Sequence, residues 1–249
     1  MKIIFLAAGE GSRLGEETKD IPKPLVNING KSIIERQIQL FQNNNISDII
    51  VITGAKNEKF NLKNISYAHD SKYNLHDQMG SLLTVKEKID GDVIILFADI
   101  LFDLNILQQI LSFNSNFGVA VDLNWTKSYE KRIDNPIELA GKVLIKNKKI
   151  IEFSENLPIK KEGYQIGEFL GIIKLKNPST NIVQKCIIDL ENNHKGKFHD
   201  AKSFEHSKIT DFLQEMINLN IKIDPIFVNG QWCEIDTPMD LEIAREKFL

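Results

Sequence analysis

The sequence predicts an α/β protein on a central mixed, largely parallel sheet flanked by helices. Three observations carry that prediction. Short apolar runs rich in β-branched residues recur early: KIIFLAA (Lys2–Ala8), DIIVIT (Asp48–Thr53) and DVIILFAD (Asp92–Asp99). Runs of this length and composition read as strands buried on both faces. Helical stretches separate them, and that alternation implies parallel crossovers with helices on both faces of the sheet. A glycine-rich stretch, GEGSRLG (Gly9–Gly15), follows the first strand directly.

The elements follow in order. After the glycine stretch a long loop runs to Val26. Ser32-Ile-Ile-Glu35 is a capping-box pattern that opens a helix to about Asn43. The strand DIIVIT ends at Gly54, and NISYAH (Asn64–His69) is a further strand candidate. MGSLLTVKEKI (Met79–Ile89) reads as a helix, and Asp103 as the cap of LNILQQIL. The second half changes character. FGVAVDL (Phe117–Leu123) and GEFLGIIKL (Gly167–Leu175) read as strands, and KVLIKNKKIIEFS (Lys142–Ser154) as a hairpin turning near Asn147 and Lys148. Helices are expected over about Thr180–Asn192 and Thr210–Asn220, with late strands in IKIDPIFV and QWCEI. Thr237-Pro238-Met239-Asp240 starts the last helix: Thr as cap, Pro at the first helical position, Asp at the positive end.

The chain has 249 residues, and with no repeat, low-complexity tract or linker it reads as one domain, 1–249. It divides into a parallel half, 1–125, and a mixed half, 126–249. The 31 Lys+Arg against 34 Asp+Glu leave a net charge of -3, which gives no general attraction to nucleic acid or acidic membranes. Cys186 and Cys233 stand far apart in no metal-ligand spacing, so a reduced, cytoplasmic setting is expected. The apolar run after Lys2 is too short for a signal peptide.

The glycine stretch poses a choice between two chemistries. A dinucleotide fingerprint is G-x-G-x-x-G with an acidic residue ending the next strand. Here Leu14 stands where the third glycine belongs, and the next strand ends VITG. Both faults argue against hydride chemistry. A triphosphate cradle explains more residues. Gly9 and Gly11 let backbone N–H groups approach phosphate oxygens. Arg13 supplies a guanidinium suited to bidentate phosphate contacts. Lys23 lies between two prolines in IPKPL, which restrict its backbone. Either cation alone reads as an ordinary surface charge; together, after a buried strand and glycines, they favour phosphate. A triphosphate calls for a divalent cation, and Mg²⁺ binds through one or two carboxylates plus phosphate oxygens. Asp99 ends a buried strand, at the sheet edge where open α/β sheets bind ligands.

LAAGEGSRLG…KPL resembles the signature of nucleotidyltransferases that join a nucleoside monophosphate to a phosphorylated sugar or small alcohol. That resemblance implies a single Rossmann-like nucleotidyltransferase domain, with 1–125 as its nucleotide-binding half and 126–249 as its acceptor-binding half. It implies a nucleotide loop of Leu6, Ala7, Ala8, Gly9, Glu10, Gly11, Ser12 and Arg13, with Lys23 beyond it. It places the metal on Asp99, where the usual Gly-Asp pair is Ala98-Asp99. WCEIDTPMDLEIA (Trp232–Ala244) resembles the family's second metal segment, which puts Asp236 on the metal with Glu234 beside it. Asp236 also reads as a pre-cap of the last helix. Arg13, Lys23, Asp99 and Asp236 are thus the expected catalytic set.

Asp77-Gln78-Met79-Gly80-Ser81-Leu82 resembles the tract of phosphocholine and aminoethylphosphonate cytidylyltransferases that ends in Ser-Leu. Gln78 or Asn74 can hydrogen-bond a pyrimidine edge, with Ser81 nearby; either can equally be a helix cap. FADILFD, SYEKRIDNPIELAGKV and FHDAKSFEHSKITDFLQEMI are similar to segments of the same subgroup. The resemblance makes Tyr129, Arg132, Lys142, Glu168 and His199 acceptor contacts, with Asp200 and Phe204 nearby. A glutamate usual in the subgroup is replaced by Gly141. The implied reaction is transfer of CMP from CTP, with Mg²⁺, to a small phosphorylated or phosphonate acceptor, releasing pyrophosphate. The acceptors implied are 2-aminoethylphosphonate, phosphocholine or phosphoglutamine, the last tied to decoration of capsules. Arg132, Lys142 and Glu168 together suggest a mixed-charge pocket. A sugar-1-phosphate nucleotidyltransferase and a non-catalytic nucleotide sensor remain the alternatives.

Overall fold

The computed structural model describes residues 1–130 and 132–249. Strand β1 (Lys2–Ala7) runs through the centre of the sheet, with Ile3, Ile4 and Phe5 fully buried. A two-residue ribbon, β2 (Asn27–Ile28) and β3 (Lys31–Ser32), leads into helix α1 (Ile33–Gln42). That helix opens on the expected capping box: the Ser32 hydroxyl accepts from the Glu35 N–H and the Glu35 carboxylate from the Ser32 N–H. β4 (Asp48–Thr53) pairs parallel with β1, and β5 (Ser66–His69) parallel with β4.

Helix α2 (Gln78–Leu83) is shorter than the sequence suggests. Thr84 ends it: its hydroxyl bonds back to the Ser81 carbonyl at 2.8 Å, and β-branched Val85 follows outside helical angles. A short 3₁₀ turn at Lys86–Lys88 completes the segment. β6 (Val93–Phe97) then pairs parallel with β1 on its other side. β7 (Ile100–Phe102) is a small strand that the sequence pattern does not announce. Asp103 caps α3 (Leu104–Ser112), and β8 (Phe117–Asp122) follows.

The hairpin of β9 (Lys142–Lys146) and β10 (Lys149–Phe153) turns through Asn147 and Lys148, both with positive φ, as a two-residue hairpin loop requires. β11 (Gln165–Leu175) joins the two halves, pairing antiparallel with β6, β8 and β9. Its register with β8 shifts between Phe169 and Ile173. Gly171 sits at that shift with φ +66, and a Cβ there would lie 2.3 Å from the Phe97 ring. Only glycine fits the bend. Helices α4 (Ser179–Asn193) and α5 (Ile209–Asn218) precede β12 (Asp224–Phe227), which lies parallel to β8. β13 (Trp232–Glu234) pairs antiparallel with β7, and α6 (Pro238–Lys247) opens on a Thr237–Asp240 capping box.

The sheet is therefore mixed. It is parallel through β5, β4, β1 and β6, and antiparallel around β11. Alternate residues of its central strands feed two cores, one per face: Ile3 and Phe5 on one side, Ile4 and Ala8 on the other. The β7·β13 ribbon matters most for the site. It sets Ile100 opposite Glu234, and the Ile235 N–H donates to the Asp99 carbonyl at 2.9 Å. Two segments remote in sequence are thereby fastened side by side. Among the described residues no helix is long and apolar enough to cross a membrane.

Candidate active site

The site begins where β1 ends. Gly11 adopts φ +67, and a Cβ on it would stand 2.6 Å from the Cβ of Lys23. Glycine is required there twice, by conformation and by the approach of the lysine stem. Thr18 pins the turn by donating to the Gly11 carbonyl at 2.9 Å. Lys23 is only 8% exposed, and its ammonium reaches inward to two carboxylates. It lies 2.8 Å from Asp99 Oδ2 and 2.6 Å from Asp236 Oδ1. Arg13, largely exposed, also reaches Asp236 Oδ1, at 2.9 Å. Burial alone would push the Lys23 ammonium down; Asp99 and Asp236 overrule it and hold the pKa well above the usual lysine value. Burial likewise works to raise the Asp236 carboxyl, but Lys23 and then Arg13 keep it below the usual range.

The remaining carboxylate oxygens are unequal. Asp236 Oδ2 accepts from the Asn135 amide at 3.3 Å. Asp99 Oδ1 is buried, with no hydrogen-bond partner among the described residues. Glu234 stands beside both, 3.7 Å from the Arg132 guanidinium, and its carboxyl is pushed up by burial and by the charges of Asp236 and Asp99. Among the described residues no three His, Cys, Asp or Glu side chains form a ready metal cage. Mg²⁺ does not need one, since it commonly takes one or two carboxylates and completes its shell from phosphate and water. An orphaned carboxylate oxygen beside a second carboxylate fits that requirement.

Three adjoining cavities make one cleft along the sheet edge. The first, about 230 Å³, is lined by Leu6, Ala7, Gly9, Gly11, Ser12, Arg13, Lys23, Asp99 and Asp236. The second, about 270 Å³, shares Arg13 and Asp236 and adds Ala8, Tyr73, His76, Gln78, Ser81 and Glu234. The third, also about 270 Å³, continues past Gln78, Phe97 and Glu234 to Gly141, Glu168, Phe169 and Trp232. Gln78 accepts from the Ile209 N–H through Oε1. Ser81 is buried and donates to Asp70 Oδ2 at 2.7 Å, while His76 lies 3.1 Å from Asp70 Oδ1. Glu10 and Asn74 are exposed and outside these linings.

The acceptor residues expected from sequence are not brought together as one mixed-charge pocket. Lys142 is 2% exposed, and its ammonium donates to the carbonyls of Glu138, Ala140 and Glu155. Arg132 donates through Nε to Asp240 at 2.6 Å and through Nη2 to the Glu234 carbonyl at 3.2 Å, with its plane over the Tyr129 ring. Both cations hold the chain together. Tyr129 donates to Glu168 Oε1 at 2.6 Å; Glu168 Oε2 is buried with no partner among the described residues. Burial raises the Glu168 carboxyl to about 7, against the opposing pull of the Tyr129 hydroxyl and Arg132. His199 lies in a neighbouring cavity of about 580 Å³ with Asp200, and its Nε2 is 3.0 Å from Glu215. The Lys208–Glu155 ion pair lines both that cavity and the third. Phe204 is core. A Cβ on Gly141 would meet only the Phe169 carbonyl, at 3.9 Å, so packing does not demand glycine there.

Sequence reasoning missed Tyr73, His76 and Asn135 as lining residues. Tyr73 and His76 stand three apart beside Gln78 in the tract already singled out. Asn135 carries only a weak signal, an Asn-Pro turn.

The sequence profile for the MobA-like NTP transferase domain matches residues 3–129. The chain is 31% identical to the CTP:phosphoglutamine cytidylyltransferase of Campylobacter jejuni, over 99% of this chain and 100% of that protein. It is 31% identical to the bifunctional protein GlmU of Methanococcus maripaludis, over 100% of this chain but only 54% of that protein. Among solved structures, the CTP:phosphocholine cytidylyltransferase from Streptococcus pneumoniae superposes with a TM-score of 0.74. The alignment covers 98% of this chain and 97% of that one at 21% identity, a likeness of fold.

Proposed function

The chain belongs to the MobA-like NTP transferase domain family and is a nucleotidyltransferase, and from that premise we propose that it transfers CMP from CTP to a small phosphorylated or phosphonate acceptor whose head group carries a cationic nitrogen. The observation that carries this reading is the meeting of Asp99 and Asp236 on one lysine under the Gly9–Gly11 turn, at the mouth of a cleft that ends on Glu168. An acceptor oxygen attacks the α-phosphorus in line, and pyrophosphate leaves. The nucleophile is already an anion, so the protein's contribution is positioning and charge stabilisation. Arg13 and the loop N–H groups face the leaving pyrophosphate. Lys23 serves the phosphate at which the bond changes. Gln78 Oε1 caps the helix that opens at Ile209, which leaves its Nε2 as the atom to meet a pyrimidine edge. Asp99 and Asp236, with Glu234 beside them, are the residues that would hold Mg²⁺. When bound, the ion neutralises charge on the phosphates.

What supports a nitrogen-bearing head is Glu168 Oε2, which has no hydrogen-bond partner among the described residues, while Arg132 and Lys142 are occupied. 2-Aminoethylphosphonate, phosphoglutamine and phosphocholine all satisfy it, and the similarity to a CTP:phosphoglutamine cytidylyltransferase favours the second. The likeness to the GlmU protein keeps a sugar-1-phosphate acceptor as the competing reading. Pyrophosphate release from CTP, UTP and dTTP, measured with these three acceptors and with sugar 1-phosphates, separates the two. The expected result is turnover with CTP and a nitrogen-bearing acceptor. Preference for a sugar phosphate would replace this reading, and binding of CTP without release in any combination would make the chain a sensor.

A further inference from the structure

Lys23 contacts both carboxylates proposed for the divalent cation, and each contact is a full charge-assisted hydrogen bond. The arrangement is built in. Pro22 and Pro24 fix the backbone on either side, and the stem passes through the space that Gly11 leaves by having no side chain. Arg13 adds a second positive charge on the same Asp236 oxygen. A divalent cation taken up by Asp99 and Asp236 would sit against that ammonium, and like charges in a buried site repel strongly. Lysine, unlike the planar and rigid guanidinium, carries its charge on a flexible four-carbon stem and can be redirected.

We infer that Lys23 is the resident counter-ion of the Asp99–Asp236 pair, and that it keeps a divalent cation off these carboxylates until a nucleotide phosphate draws the ammonium away. The exchange conserves charge. The phosphate replaces the carboxylates as partner of Lys23, and the carboxylates become free for the cation. Asp99 Oδ1, without a partner among the described residues, is the first oxygen available. The cation site is thus completed by nucleotide, so a cation is not stored in the resting protein. This rests on the proposed metal role of Asp99 and Asp236.

The test is Mn²⁺ affinity of the full chain without nucleotide, read from the free-ion EPR signal, for the wild type and for Lys23→Met, Lys23→Gln and Lys23→Arg. Circular dichroism establishes that each variant is folded. The two neutral variants should bind Mn²⁺ at least about tenfold more tightly than the wild type, because the competing charge is gone, and Lys23→Arg should stay weak. Having two neutral variants keeps the comparison open should one fail to fold. Neutral variants that bind Mn²⁺ no more tightly than the wild type would overturn the inference. Failure of the underlying reading looks different: wild-type pyrophosphate release would then be indifferent to divalent cation, whatever the variants bind.

Discussion

At the proposed phosphate end of the cleft, Lys23 reaches Asp99 and Asp236, and Arg13 reaches Asp236, across an open cavity. At the proposed acceptor end, Arg132 and Lys142 reach Asp240 and three backbone carbonyls, while Glu168 and the Lys208–Glu155 pair line the cavity. The same residue types do opposite work. In the first region, on the reading proposed above, the charged groups are partners only until a more highly charged ligand arrives. In the second they are fastenings, and removing them should harm the fold before it harms the chemistry. Burial and partner identity make the difference: a carboxylate partner in a cleft can be exchanged for phosphate, but a backbone carbonyl in the interior has no replacement donor.

The sharpest way to break this contrast is to change the phosphate end. Asp99→Asn and Asp236→Asn should each lower kcat by about a thousandfold or more, and Lys23→Ala by about a hundred- to thousandfold, because these groups act where charge develops. Steady-state pyrophosphate release measures this. Folding should survive, since Asp99 and Asp236 lose only cleft contacts. Near-normal turnover in any one of them would remove that residue from the set.

Next in size is Lys142→Met, which tests the other region. The substitution keeps the stem's volume but leaves the carbonyls of Glu138, Ala140 and Glu155 without their donor. The expected loss is roughly 2–4 kcal/mol of stability, read by urea denaturation. KM values for nucleotide and acceptor should change little in protein that remains folded. A raised acceptor KM at unchanged stability would return Lys142 to the pocket.

The contrast also explains what could be read from sequence. Features that depend on a few neighbouring residues were legible: the Ser32–Glu35 and Thr237–Asp240 capping boxes, the Asp103 cap, the hairpin at Asn147 and the buried central strands. The helix after Gln78 was overextended because its end depends on one hydroxyl bond from Thr84. The β7·β13 ribbon escaped notice because three residues of Ile-Leu-Phe have no period of their own; their partner lies far along the chain. Lys23, Asp99 and Asp236 could each be singled out, but not the placing of the lysine between the two carboxylates. Burial of Arg132 and Lys142 was invisible for a related reason. Charged residues are seldom fully buried, and Asp240, which pairs Arg132, lies in what reads only as a helix cap.

Glu168 lines the third cavity beside the already paired Lys208 and Glu155, and its effect should be intermediate. Glu168→Gln should raise KM for a nitrogen-bearing acceptor by about tenfold, with CTP affinity unchanged, since one charge-assisted contact is lost. The pH dependence sharpens this. Burial raises the carboxyl from 4.5 to about 7. Between those values the folded chain holds a proton that the unfolded chain has lost, so this group's contribution to stability falls as pH rises through that window. Acceptor capture runs the other way. An ammonium needs the ionised carboxylate, so kcat/KM for the acceptor should climb with pH and level off above about 7. Glu168→Gln should lack that limb. A limb that persists would assign it to another group.

The smallest expected effect is at His199. The sequence places it with the acceptor contacts, whereas the structure places it in the adjoining cavity, its Nε2 3.0 Å from Glu215. Lys208 and Glu155 pair at 2.5 Å along the boundary between that cavity and the cleft. His199 also adopts φ +50, a conformation that disfavours any residue with a Cβ. His199→Ala therefore gives up one partly exposed contact and keeps the strain. It should cost about 0.5–1 kcal/mol of stability and alter acceptor KM by less than about twofold. His199→Gly loses the same contact but gains the conformational freedom, so it should be no less stable than His199→Ala. The pair of variants separates backbone strain from ligand contact. If both raise acceptor KM more than about fivefold while stability follows this order, the acceptor head reaches beyond the Lys208–Glu155 pair. The acceptor region would then have to include the second cavity, with His199 and Asp200 as contacts within it.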